Sequence, residues 1–242
     1  LRRRRASSTP KSDENGGHQA AVFACRLGGM KTPSRRLLLA GAAGSLLPFG
    51  AAHGPARAAG LLATPQQTEG PFYPASFPAD MDNDLVQVRG QQARAMGTVL
   101  HLEGRVLDLG GKPVDGALVE IWQCDAQGIY DHPRQPGRER RDSAFQGYGR
   151  LLARADGRYS FRTLKPVAYA GRSPHIHFKV ATSSGRVLTS QFYVAGDPGN
   201  DRDGVFRGIR DPRQRELVEM KLAPAPGIEA GALATSMDIV VG

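Results

Sequence analysis

Between Thr98 and Val241 the sequence breaks into short runs in which apolar and polar residues alternate, each closed by a turn rich in glycine or proline. A period of two sets successive side chains on opposite faces of a pleated strand, so such a chain folds into sheets that each bury one face. TVLHLEGRVLD (98–108) alternates, DLGGKP makes a turn, and GALVEIWQCD continues as a second strand, which predicts a hairpin by its turn chemistry. YGRLLARADGRYSFRTL reads as two strands around an ADG turn, HIHFKVATSSGRVLTSQFYVAG as another hairpin, and ATSMDIVV as a last strand. Helical periodicity is scarce: only DPRQRELVEMK (211–221) supports a brief helix, and a final turn followed by a strand is equally open there. The expected fold is all-β, an antiparallel β-sandwich over residues 98–242 with long loops.

The chain before residue 98 is of a different kind. Residues 1–58 carry ten Lys or Arg against two acids, Asp13 and Glu14, whereas residues 59–242 carry 22 basic and 21 acidic side chains. Nearly all of the formal charge of +9 therefore lies in the leader. That is no argument for nucleic acid binding, which needs its charge on the folded domain. After Met30 the leader reads KTPSRRLLLAGAAGSLLPFGAA, with Arg35 and Arg36 paired before an apolar run and ARA at 56–58. This is the pattern of a twin-arginine export signal. The run is short and rich in Gly and Ala, so residues 30–58 are expected to be a signal cleaved after Ala58, leaving no membrane association in the mature form. The expected location is the periplasm or beyond, in a bacterium. Residues 1–29, rich in Arg, Ser and Gly, read as an upstream or disordered segment. Residues 59–97, with TEGPFYP and DMDND, hold neither period and read as an N-terminal arm draped over the sandwich. Cys25 falls in the leader, which leaves Cys124 in the mature chain; following VEIWQ, it reads as a small buried hydrophobe.

The densest group of chemically capable residues is YAGRSPHIHF (169–178). Ile176, Phe178 and Val180 alternate with His175, His177 and Lys179, so an extended strand sends the apolar set one way and both imidazoles the other. The two rings then converge on one point, as half of a metal site would. A strand whose polar face merely carries histidines gives the same pattern. Tyr130, closing WQCDAQGIYDH, and Tyr169, in the bend after Pro166, supply further ligand types at strand ends. Two tyrosinates with two histidines suit a hard, highly charged ion, because a phenol of pKa about 10 must be ionised by the metal itself. Ferric iron fits best, since two tyrosinates and one hydroxide balance its three charges. The histidines with a carboxylate such as Asp131 make a different, ferrous arrangement.

TEGPFYP, GRVLDLGGKPVDGALVEIWQCDAQGIYDH, GYGRLLARADGRYSFRTLKPVAYAGR, PHIHFKV and TSQFYVAGDP follow one another in the order of a known family. Through them residues 66–241 resemble the intradiol ring-cleavage dioxygenases, in particular the protocatechuate 3,4-dioxygenase branch. The resemblance implies one non-haem Fe(III) held by Tyr130, Tyr169, His175 and His177, a catecholic small molecule and dioxygen as substrates, and a cis,cis-muconate-type product. It further implies that the ring binds through both oxygens, that Tyr169 is the axial ligand that leaves while Tyr130 stays, and that the displaced groups take the phenolic protons. Arg172 matches the family arginine three places before the first histidine and is expected to stabilise negative charge building on the ring. Gln191, in the TSQ strand, is expected to add a hydrogen bond.

Two departures accompany the resemblance. Only five residues separate Tyr169 from His175, a shorter loop than in ring-cleaving relatives, which implies a more open site. No helical segment precedes the arm in the manner of the catechol 1,2-dioxygenase dimerisation linker, so that mode of pairing is not expected, although a homo-oligomer is compatible with the sequence. His132, beside Tyr130, reads as a neighbour of the site, His101 as structural, and Trp122 as a core residue. Arg134, Arg138, Arg140 and Arg141 read as a solvated loop, because Asp131, Glu139 and Asp142 lie among them. The alternative function is a non-catalytic secreted β-sandwich binding module; the presence of all four ligand types argues against it.

Overall fold

The computed structural model describes residues 60–242, so the segment 1–29 and the export signal lie outside the described residues. Its strands are β1 (Val99–Asp108), β2 (Leu118–Trp122), β3 (Tyr148–Leu152), β4 (Arg158–Leu164), β5 (His175–Ala181), β6 (Val187–Val194), β7 (Glu219–Met220), β8 (Ala223–Pro224), β9 (Leu233–Ser236) and β10 (Ile239–Val241). Two short helices, α1 (Gly204–Arg207) and α2 (Pro212–Glu216), lie between β6 and β7. The strands form two five-stranded sheets. In the first, β1 pairs antiparallel with β4 on one edge and parallel with β9 and then β10 on the other, and β8 pairs with β9. The second runs β3-β2-β5-β6-β7. The expected all-β sandwich forms, but its sheets are mixed: β1–β9, β1–β10 and β6–β7 are parallel.

The period of two decides what each sheet buries. Leu100, Leu102 and Val106 of β1 and Phe161 of β4 belong to one core with Val119 and Ile121 of β2, Ile176, Phe178 and Val180 of β5, and Phe192 of β6. Each such side chain stabilises the fold by roughly 1.5–3 kcal/mol through burial, less where the unfolded chain already shields it. The arm contributes to the core as well, since Leu85 and Val86 are fully buried in it. Gly104 is dictated by a close approach. Met237, between β9 and β10, donates its amide to the Glu103 carbonyl at 2.8 Å, and a Cβ on Gly104 would stand 1.8 Å from the Met237 carbonyl oxygen.

Two local readings are corrected. β1 and β2 do not pair. The turn after Asp108 closes as its chemistry predicts, with Val114 donating to Val106 at 2.9 Å, but Gly116, at φ 65°, then redirects the chain. β2 enters the other sheet because both edges of β1 are already occupied. The ADG turn behaves alike: Arg154 donates to Arg158 at 2.9 Å, yet β3 pairs with β2 and β4 with β1. Both tight turns are corners between sheets. The segment 211–221 divides into a helix, capped by Asp211 with Pro212 in its first turn, and the strand β7. Among the described residues no helix is long and apolar enough to cross a membrane.

Candidate metal centre

The face of the second sheet turned away from the core carries the candidate site. Trp122, His177 and Gln191 are successive cross-strand partners on β2, β5 and β6, and His175 lies opposite Tyr193. All five are buried, because the arm crosses them. Gln67 Oε1 accepts from the Gln191 amide at 3.1 Å, and the Thr68 carbonyl accepts from Gln191 Nε2 at 3.0 Å. Glu69 pairs with Lys179, whose ammonium lies 3.7 Å over the Tyr73 ring. Gly70, at φ +75°, rests on the site, where an added Cβ would meet His177 Cε1 at 3.2 Å. TEGPFYP thus forms one wall of the centre.

The four expected ligands come together. His175 Nε2 and His177 Nε2 are 3.1 Å apart. Two metal–imidazole bonds of about 2.1 Å at a right angle put their nitrogens about 3 Å apart, so this spacing suits a shared ion. His175 Nδ1 donates to the Ser173 carbonyl at 2.6 Å, which turns its Nε2 lone pair inward. The His177 ring is oriented by stacking on Trp122, with centroids 4.9 Å apart and planes 10° from parallel. Trp122, expected only as core, is therefore also a wall of the site. The Tyr130 ring lies 5.0 Å from that of Tyr169 and 6.2 Å from that of His177, and Tyr169 lies 5.4 Å from His175.

The charge states agree with a cation at this point. Burial lowers the His175 pKa to about 4 and pushes that of His177 well below its usual value, so both imidazoles are neutral donors near pH 7. Burial drives the Tyr130 phenol well above 10, and its Oη has no hydrogen-bond partner among the described residues. An unpartnered buried hydroxyl is costly, and a metal ion resolves it by taking the oxygen as phenolate. Tyr169 is also raised by burial but is only half-buried. Among the described residues no group of three or more His, Cys, Asp and Glu stands close enough to hold an ion, which counts against the histidine–carboxylate arrangement. Asp131 instead pairs with Arg138 and Arg141.

Tyr169 and Arg172 are brought side by side by a tight turn in which Arg172 donates to the Tyr169 carbonyl at 2.8 Å. Its central residues, Ala170 at φ 44° and Gly171 at φ 79°, are both left-handed, as in the primed hairpin turns. Holding an alanine there costs about 1 kcal/mol. Arg172 and Tyr169 are half-buried while Tyr130 and both histidines are buried, so solvent meets the site on the Tyr169–Arg172 side. A cavity of about 120 Å³, walled by Phe72, Phe77, Trp122, Tyr130 and Tyr148, adjoins the site on its Tyr130 side, and neither Tyr169 nor the histidines line it.

Arg172 is held more firmly than its sequence position indicates. Its Nε donates to Asp203 Oδ2 at 2.7 Å and its Nη2 to Gln191 Oε1 at 2.6 Å. Gln191 is fully engaged, its Oε1 also accepting from the Tyr193 hydroxyl at 3.0 Å. Asp203, Tyr193, Gln67 and Phe72 join the site only through the fold. Phe72 stacks on Tyr130 with centroids 4.6 Å apart and is edge-on to His132. His132 is buried one ring away from the site, and His101 lies 3.2 Å from Glu229, away from it. Cys124 is buried and its thiol is pushed up to about 12, which leaves it unreactive.

This fold is that of a dioxygenase family, for residues 68–231 match the family model described as Dioxygenase. The protocatechuate 3,4-dioxygenase beta chain of Burkholderia cepacia is 36% identical over 179 residues, covering 71% of this chain and 76% of that one. Catechol 1,2-dioxygenase 1 of Acinetobacter lwoffii is 35% identical over 185 residues, covering 69% of this chain and 57% of that one. The chain thus spans little more than half the length of this catechol dioxygenase. The solved dioxygenase domain of a dioxygenase carbohydrate-binding protein fusion from Streptomyces sp. SirexAA-E superposes with a TM-score of 0.57 at 30% identity, over 74% of this chain and 97% of that one. The chain belongs to the intradiol ring-cleavage dioxygenase family.

Proposed function

We propose that the protein holds one ferric ion through Tyr130, Tyr169, His175 and His177 and uses dioxygen to open a catecholic ring between its two oxygenated carbons. The observation that carries this reading is the convergence of two neutral imidazoles and two phenols on one sheltered point, beside a clamped guanidinium. When bound, the ferric ion supplies Lewis acidity and a template for the two ring oxygens. The chain's own groups divide the rest. Tyr130, sealed beneath Phe72, is ionised only opposite a cation and is the ligand that stays. Tyr169 reaches solvent; ionised as a ligand in the loaded protein, its Oη would take one of the two phenolic protons of the entering ring and hold it, the other leaving to solvent on this open side. Arg172 stabilises the negative charge that develops as the ring ketonises, and Gln191 acts by holding Arg172 rather than by touching the ring. Trp122, Gly70 and Phe72 keep water from the other sides.

Family membership counts against the non-catalytic module. The named relatives act on catechol and protocatechuate, which supports a catecholic substrate here. Residues 98–242 are proposed as the catalytic sandwich, 59–97 as its arm and 30–58 as the twin-arginine signal, with the metal inserted before export. The test is incubation of the iron-loaded protein with catechol under isotopically labelled dioxygen. One dioxygen should be consumed per ring, with both labelled atoms in an open-chain dicarboxylate. Oxygen uptake without ring opening, or no uptake at all, would refute the proposal.

A further inference from the structure

We infer that Asp203 is a positioning residue for this reaction, acting by orienting the Arg172 guanidinium; the inference rests on the site reading above. The Asp203 side chain is fully buried and both of its oxygens are used. Oδ1 accepts from the amides of Val205 at 2.9 Å and Phe206 at 3.1 Å, which caps α1. Oδ2 accepts from Arg172 Nε at 2.7 Å, from the Ser173 amide at 3.0 Å and from Ser173 Oγ at 3.1 Å. The Ser173 carbonyl in turn takes His175 Nδ1. One oxygen therefore fixes the backbone that carries a ligand and the side chain that meets the substrate.

Helix capping alone does not explain this arrangement. A helix of four residues is capped by Oδ1, and serine or asparagine meets that need about as well. A carboxylate buried against a guanidinium is a costly way to cap it unless the pair is needed. The clamp also has a direction. Asp203 holds Nε, Gln191 holds Nη2, and Nη1 has no hydrogen-bond partner among the described residues. Nη1 is the nitrogen left to meet developing charge on a ring. A guanidinium released from Oδ2 keeps its charge but loses that aim, and misplacement by about 1 Å is enough to cost roughly 10²-fold in rate.

The test compares Asp203→Asn and Asp203→Ser, both able to cap α1, in the wild-type and Arg172→Gln backgrounds of the iron-loaded protein. Iron content, the visible spectrum, kcat and KM for catechol are read for each. In the wild-type background kcat should fall about 10²-fold with iron content retained and KM changed by about twofold or less. In the Arg172→Gln background the same substitutions should add less than about threefold, because the group they act through is gone. Unchanged kcat, an equal loss in both backgrounds, or unfolding of both variants would overturn the inference and leave Asp203 a structural residue. Wild-type protein without turnover would instead overturn the function proposed for the site.

Discussion

His177→Phe is expected to leave a folded protein that retains no iron and opens no ring. Phenylalanine keeps a flat ring against Trp122, 4.9 Å away, and beneath Gly70, so the sheet face stays filled. It replaces the Nε2 lone pair, 3.1 Å from that of His175, with a C–H bond pointing at the same place. His175 is then the one neutral donor left, and the ion must be held by ionising both phenols, which burial opposes at Tyr130 and Tyr169 alike. Bound iron should fall from about one per chain to background, and turnover at least about 10³-fold, which exceeds the 10- to 100-fold typical of losing a residue that only supports a ligand. Metal analysis and a melting curve against the metal-free parent check this. Full iron content in a folded variant would exclude His177 as a ligand.

Tyr169→Phe is the second large effect and differs in kind. Tyr169 is the half-buried member of the pair, and its ring contacts with Phe72 and His175 survive in phenylalanine. Its hydroxyl is the part removed, and with it, on the proposed reading, one anion balancing the metal and the acceptor for a substrate proton. Iron should be retained through His175, His177 and Tyr130, the visible tyrosinate absorption should weaken, and kcat should fall about 10²- to 10⁴-fold, the range of a lost proton-transfer group. The contrast between a variant that loses the metal and one that keeps it separates ligands by role. An unchanged band and rate would remove Tyr169 from the site.

Much of the site was legible because its chemistry is local. The alternation across HIHFKV sets His175 and His177 on the face opposite Ile176 and Phe178, and period alone is enough to say so. Tyr130 and Tyr169 are far from that strand in sequence, and motif order rather than spacing connected them to it. Asp203 escaped because α1 is too short to leave a helical period, so the sequence gives no sign that the residue caps anything. For Trp122 the size of the side chain predicts burial, whereas its stacking on His177 depends on the pairing of β2 with β5. The expected β1–β2 hairpin does not form for a related reason. Turn chemistry specifies how a chain reverses, but which sheet receives the next strand depends on which edges are free.

The measurement that bears most directly on the proposed centre is a visible spectrum of the iron-loaded protein before and after anaerobic addition of catechol. Two tyrosinates on ferric iron would absorb visible light, and a catecholic ring bound at the same point would alter that absorption. The account predicts a band in the resting protein that moves to longer wavelength when catechol is added. Stoichiometric iron with no visible band, or a band that catechol leaves unmoved, would contradict it.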